Sequence, residues 1–149
     1  ADADADSFEP HHTVVRSADQ VQVYESVMGD LDGRPTTGLL SAASYLKDNR
    51  VLPAGFDKRT ADQDVAVHGG ALEDTDFLGG SDRTRYEVDL GGAEGPVGVE
   101  VALRYQPISY RWARNLDGYS DLFEPARFVR YYDSMAGASS TPLATGESV

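Results

Sequence analysis

Pro96-Val97-Gly98-Val99-Glu100-Val101-Ala102-Leu103-Arg104-Tyr105-Gln106-Pro107-Ile108 is the stretch on which the reading of the fold turns. Val97, Val99, Val101, Leu103 and Tyr105 fall on every second position, with Gly98, Glu100, Ala102, Arg104 and Gln106 between them. Successive side chains of a strand point to opposite faces, so the alternation predicts one strand with one face buried. β-branched and aromatic residues suit such a pleated, half-buried surface. Pro96 and Pro107 bracket it, because neither has an N–H to give to a sheet ladder. Immediately upstream, Arg83-Thr84-Arg85-Tyr86-Glu87-Val88-Asp89-Leu90 alternates too, with Tyr86, Val88 and Leu90 on one face. The Gly91-Gly92-Ala93-Glu94-Gly95 link is short, which predicts a β-hairpin with antiparallel pairing.

Further out the pattern continues in shorter pieces. Gln20 to Val27 alternates and reads as a strand, and Gly29 to Pro35 as a turn, with Gly and Asp at the bends. Leu39 to Leu46 is either a short helix, with Leu40, Ala43 and Leu46 on one face, or an irregular apolar loop. Asn49 to Phe56 is loop-like, Asp64 to His68 a short strand stopped by Gly69-Gly70, and Asp76 to Asp82 a turn. Beyond Ile108 the character changes. Tyr110 to Leu116 suits one or two helical turns, and Glu124 to Met135 predicts a helix. Pro125 belongs in its first turn, with Asp121 or Glu124 complementing the dipole. Phe128, Tyr131, Tyr132 and Met135 share one side, and Gly137 is a stop. The expectation is an all-β protein, an antiparallel β-sandwich of jelly-roll or Ig-like type with short helices, one near the C-terminus. Residues 1–7 would be an acidic extended segment, 8–136 the sandwich, and 137–149 a flexible tail.

Composition narrows the function classes. The chain has 149 residues, one ordinary domain's worth, and is 40% hydrophobic. Its formal charge is −12, with 25 acidic against 13 basic residues, a field that repels phosphate backbones and argues against nucleic-acid binding. There is no long apolar run, so no membrane span is expected. No signal peptide is seen, and the sequence opens on Ala1, which reads as a fragment or processed chain. With no cysteine, disulfides, thiolate metal sites, thiol catalysis and covalent haem attachment are excluded from this chain.

Several residues are candidates for chemistry. Among the Asp-rich stretches, Asp2, Asp4 and Asp6, then Asp30 and Asp32, then Glu73, Asp74, Asp76 and Asp82 offer hard oxygen ligands of the kind Ca²⁺ takes, with Asp30, Asp32, Asp74 and Asp76 the candidates singled out. Asp30-Leu31-Asp32-Gly33 resembles part of a calcium loop but lacks the distal glutamate, and a solvated acidic turn explains it as well. The three histidines are His11, His12 and His68. Imidazole ligates metals and haem iron, although neighbouring His11 and His12 cannot both face one ion from a regular strand or helix. No Gly-x-Ser-x-Gly elbow, His-Glu-x-x-His pair or phosphate-binding glycine loop is present, so no catalytic residue is assigned. Tyr105, Tyr110, Trp112, Tyr119, Phe123, Tyr131 and Tyr132 crowd the C-terminal half, either packing helix on sheet or offering an aromatic face for sugars or a partner.

Five stretches carry a family resemblance. In order they are Ser7-Phe8-Glu9-Pro10-His11, Gln20-Val21-Gln22-Val23-Tyr24-Glu25, Thr36-Thr37, Lys47-Asp48-Asn49-Arg50-Val51-Leu52-Pro53-Ala54-Gly55-Phe56, and Arg104-Tyr105-Gln106-Pro107-Ile108. Together they resemble the C-terminal, non-haem portion of exported bacterial multihaem c-type cytochromes and related cytochrome-c-family proteins, over roughly Phe8 to Tyr132. Members of that family carry Cys-x-x-Cys-His motifs upstream, and this chain has none. The resemblance therefore implies an accessory domain of a periplasmic or cell-surface electron-transfer protein, non-catalytic in isolation. Haem c would sit only in the parent or a partner region, with His11 or His12 as a ligand reaching it from outside the haem motif. Within the motif, Arg50 would satisfy a carboxylate or loop carbonyls, Gly55 would take a positive φ, and Phe56 would plug the interior. The rival reading is a calcium-dependent or aromatic-faced carbohydrate-binding module.

Overall fold

The computed structural model describes residues 7–149, in two compact units that divide between Asp89 and Leu90. Asp2, Asp4 and Asp6 lie outside the described residues. The first contains five short strands: β1 (Val14–Val15), β2 (Ser26–Gly29), β3 (Pro35–Thr36), β4 (Ser44–Asp48) and β5 (Arg85–Tyr86). Antiparallel pairing gives a three-stranded sheet in the order β3-β2-β4, with Met28 opposite Thr36 and Val27 opposite Lys47. The pairing of β2 and β4 shifts register between Val27 and Met28, which tightens the local twist. The β2–β3 turn closes through Asp30 N–H on Arg34 O (2.9 Å) and Gly33 N–H on Asp30 O (3.1 Å). At the end of β4, Asp48 and His68 exchange both backbone hydrogen bonds, at 3.0 and 3.1 Å.

Most of this unit is loop, and its loops are held by close backbone approach. Phe56 N–H returns to Pro53 O at 3.1 Å, with Gly55 at φ +85°, a region open to glycine. Gly79 lies against that turn so closely that a Cβ would stand 2.6 Å from Phe56 O, and Gly80 N–H donates to Leu52 O. Leu52, Val67, Ala71 and Phe77 form the apolar centre, with Tyr24 and Phe56 packed on it. Beside it lie His11, His12, Lys47, Asp48, Asn49, Lys58 and Asp74, all buried, so the interior is as much polar as apolar. Buried polar groups of this kind are stable only when paired, and the pairing below is what fixes the loops.

The second unit holds β6 (Val99–Tyr105), α1 (Tyr110–Asn115), α2 (Phe123–Ser139) and β7 (Thr141–Ser148). Ser109 caps α1 by accepting from Trp112 N–H, and Arg114 bridges Asp117 and Asp133 beside the Tyr110 ring. β6 and β7 pair antiparallel, from Val99 opposite Ser148 to Tyr105 opposite Thr141. No described helix is long and apolar enough to cross a membrane.

This architecture overturns the expected all-β, antiparallel β-sandwich of jelly-roll or Ig-like type. The described strands form small separate sheets of two or three, alongside two α-helices, and no sandwich is evident. The strand predicted at Val97 to Tyr105 exists, but its face is not buried: Val99, Val101 and Leu103 are 53%, 51% and 44% exposed. Period-two alternation says which side chains share a face and not whether anything covers it. The predicted hairpin is absent as well. In Arg83 to Leu90 only Arg85–Tyr86 is strand, and it pairs with β1 in parallel, through Arg85 N–H on Thr13 O and Glu87 N–H on Val15 O. An exposed Arg16–Glu87 ion pair at 2.8 Å flanks that contact. The partner of β6 comes instead from the Ser/Thr/Gly-rich end of the chain, where composition suggested a flexible tail.

Candidate functional site

The Glu9 to His12 segment enters the first unit and places the His11 side chain wholly out of solvent. Two amides address its Nδ1. Gln22 is oriented by the His12 backbone N–H, which donates to Oε1 at 2.8 Å. Its Nε2 is thereby turned to His11 Nδ1, at 2.9 Å. Asn49 is oriented by Glu25 N–H, which donates to Oδ1 at 2.9 Å, so its Nδ2 donates to His11 Nδ1 (3.0 Å) and Val23 O (2.9 Å). A nitrogen facing two N–H donors must accept, so the ring proton sits on Nε2 and is donated to Asp74 Oδ2 at 3.0 Å. Asp74 Oδ1 takes the Asp76 N–H at 2.8 Å. Across the cluster, Tyr24 donates its hydroxyl to Asp82 Oδ2 at 2.6 Å. The Phe77 and His11 rings meet in a T-shaped contact, 5.1 Å between centroids and 65° between planes.

Two lysines complete the network. Lys47 donates from Nζ to Glu9 O (2.7 Å) and Val23 O (2.9 Å), and pairs with Glu25 at 3.2 Å. Lys58 donates to Ala71 O at 2.8 Å and to Asp74 O, with its ammonium near the Phe77 face. Asp48 receives Arg50 in bidentate fashion, Nε on Oδ1 at 3.0 Å and a terminal nitrogen on Oδ2 at 2.6 Å. The run Lys47-Asp48-Asn49-Arg50 thus ties together the entering segment, β4 and the loop before Leu52.

Of the residues singled out in the sequence, His11 and Asp74 come together. One ligand atom each from His11, Asp74 and Asp82 lie within 4.8 Å of one another, close enough to share an ion. The surrounding hydrogen bonds do not suit one. A histidine that ligates through one nitrogen normally carries a proton on the other. Here Nδ1 faces two amide donors and Nε2 bears the only ring proton, so the cluster is built as a hydrogen-bond network. His12 is placed separately, with Nε2 on Glu9 Oε2 at 2.8 Å. Asp76 contributes its backbone N–H, and its side chain lies in an exposed position. Asp30 and Asp32 occupy the β2–β3 turn, where Asp30 Oδ1 accepts from Asp32 N–H and Arg34 N–H, both at 2.9 Å. That is the turn chemistry of aspartate.

Gln22, Tyr24 and Lys58 carry this network without a site role assigned from the sequence, and Asp82, one of the acidic turn residues offered for Ca²⁺, serves it as the acceptor of Tyr24. Asn49 and Lys47 were visible in the Lys-Asp-Asn-Arg run, where four polar residues interrupt an apolar stretch. In the second unit Tyr105, Tyr110, Trp112, Tyr119, Phe123 and Tyr131 are exposed. Trp112 and Phe128 line an apolar hollow of about 360 Å³. No family model, curated protein or solved structure matches the chain.

The network makes stability depend on pH at both extremes. Burial raises the Asp74 carboxyl, but the Asp76 amide, His11 and Lys58 more than offset it and leave the group below the usual 3.8. A depressed carboxyl stabilises the fold above its unfolded value and loses that contribution as pH falls through the folded one. Burial, with the Asp82 carboxylate, pushes the Tyr24 phenol up from 10.0 to about 12. A raised phenol stabilises below its unfolded value and loses that contribution as pH rises through the folded one. Chemical denaturation across pH should therefore show stability falling at the acid end and again between pH 10.0 and about 12. Tyr24→Phe should flatten the alkaline decline and Asp74→Asn the acid one.

Proposed function

We propose that this chain is a non-catalytic structural or interaction module of an exported electron-transfer protein of the multihaem cytochrome-c class. The observation that supports this reading is the use made of the Lys47 to Phe56 motif. Lys47, Asp48, Asn49 and Arg50 commit their polar groups to the fold, and Gly55 and Phe56 form a turn packed on the apolar centre. A motif of that kind specifies a scaffold, and the chemistry then belongs to another region of the parent. Haem c would be held there, in a periplasmic or extracellular setting. As an iron ligand through Nε2, His11 would give up its bond to Asp74, whereas His12 would ligate through Nδ1 and keep Nε2 on Glu9.

The test is the parent protein. Its reading frame upstream of Ala1 should contain Cys-x-x-Cys-His motifs, and the purified product should give the pyridine haemochrome spectrum of haem c. An upstream hydrolase or glycan-active domain with no haem would overturn the proposal.

A further inference from the structure

A groove of about 620 Å³ opens on the first unit, walled by the start of β4, the 3₁₀ turn at Gln63–Val65, and His68. Its volume lies within the range of small-ligand sites. Its floor is aromatic. The Tyr45 ring stacks on His68 at 5.4 Å between centroids and 27° between planes, and Tyr45 remains 39% exposed. His68 is itself fixed, through both backbone hydrogen bonds to Asp48. A ring with one face on a fixed imidazole has the other face to present.

The polar groups around this platform contrast with those of the interior. Every polar atom around His11 has a partner, whereas no hydrogen bond joins the Ser44 hydroxyl, the Tyr45 hydroxyl, the Gln63 amide or the Asp64 carboxylate to any described residue. The turn that carries Gln63 and Asp64 is nonetheless held in place, since the Asp62 side chain caps the Asp64 N–H. His68 Nε2, on the groove wall, is closed off from solvent without a partner. No lysine or arginine lines the groove, and the chain is strongly acidic, so anionic ligands are disfavoured. An aromatic plane flanked by an amide, a carboxylate and hydroxyls is the equipment for a ligand with an apolar ring face and a rim of hydroxyls.

We propose that this groove is a binding site for an uncharged saccharide, with one sugar ring stacked on Tyr45 and its hydroxyls shared between Gln63 and Asp64. The proposal does not rest on the parentage of the module. An upstream hydrolase would leave it standing, and haem motifs upstream would not establish it.

The experiment is NMR titration of the whole chain with cellotriose, xylotriose, maltotriose and N,N′,N″-triacetylchitotriose at millimolar concentration. At least one should shift the Tyr45 ring, the Gln63 side-chain amide and the His68 ring together. Tyr45→Ala should weaken that binding by about fivefold or more, as loss of a stacking platform predicts, and Tyr45→Phe by less than about twofold. Because Tyr45 also supports His68, Asp64→Asn supplies an exposed variant that leaves the stack alone, and it too should weaken binding. No shift with any of the four sugars would overturn the proposal. Binding that survives both Tyr45→Ala and Asp64→Asn, or shifts produced by Zn²⁺ and by none of the sugars, would overturn it as well.

Discussion

Replacing Asn49 by leucine should cost the first unit about 3 kcal/mol or more, since each buried polar group stranded without a partner costs about 1–3 kcal/mol. Asn49 is 0% exposed. Leucine keeps the branching of the side chain, with bulkier tips, but strands the Glu25 N–H, deprives Val23 O of a donor and leaves His11 Nδ1 to Gln22 alone. Asn49→Asp is the more telling variant. One carboxylate oxygen still accepts from Glu25 N–H, but the other faces the acceptor on His11 and the carbonyl of Val23 where donors are needed. It should therefore be about as damaging as leucine despite keeping the shape and one bond. Urea unfolding followed by circular dichroism measures both. A loss under about 1 kcal/mol for either would mean that the amide is not what orients His11.

The second large effect is expected at Phe77, 1% exposed and shared between the apolar centre and the polar network. Phe77→Ala should lose about 3–5 kcal/mol, the usual result of emptying a buried aromatic site. Phe77→Leu, which keeps most of the packing, should lose clearly less. Both positions bear on His11, one through the T-shaped ring contact and one through its nitrogen. The double variant Phe77→Ala with Asn49→Leu should then fall short of the sum of the singles, because once the imidazole is loose the second change has less to disturb. Full additivity would show two independent supports. A small domain has only about 5–15 kcal/mol in hand, so a cooperative transition in urea separates these outcomes.

How much of this was legible in the sequence varies by element. Helix α2 was, because Phe128, Tyr131, Tyr132 and Met135 recur at helical spacing and Pro125 suits a first turn; it runs from Phe123 to Ser139. The strand around Val101 was legible, but its burial and its partner were not. Pairing across a gap of about forty residues leaves no local mark, whereas the Gly91 to Gly95 link seemed to offer a nearer mate. The polar interior was the least readable feature. Along the chain Gln22 and Tyr24 read as positions of an alternating strand and Asp82 as an acidic turn residue, and only the closing of β1 to β5 and the return of the Asp74 loop bring them to His11. Asn49 is intermediate, since a Lys-Asp-Asn-Arg run at the end of a strand is odd enough to notice without telling which atoms meet. The same logic explains Asp30 and Asp32, whose carboxylates suggested calcium and whose local bonds serve the turn.

The pairing of β6 with β7 carries an implication for biosynthesis. Val99 to Tyr105 leaves the ribosome well before Thr141 to Ser148 exists, so the earlier strand waits, with its amide edge unmatched, until the later one follows. The helical stretch between them has time to form first and then brings β7 to its partner. A chain cut before Thr141 would thus carry β6 with no mate, inviting pairing with a neighbour.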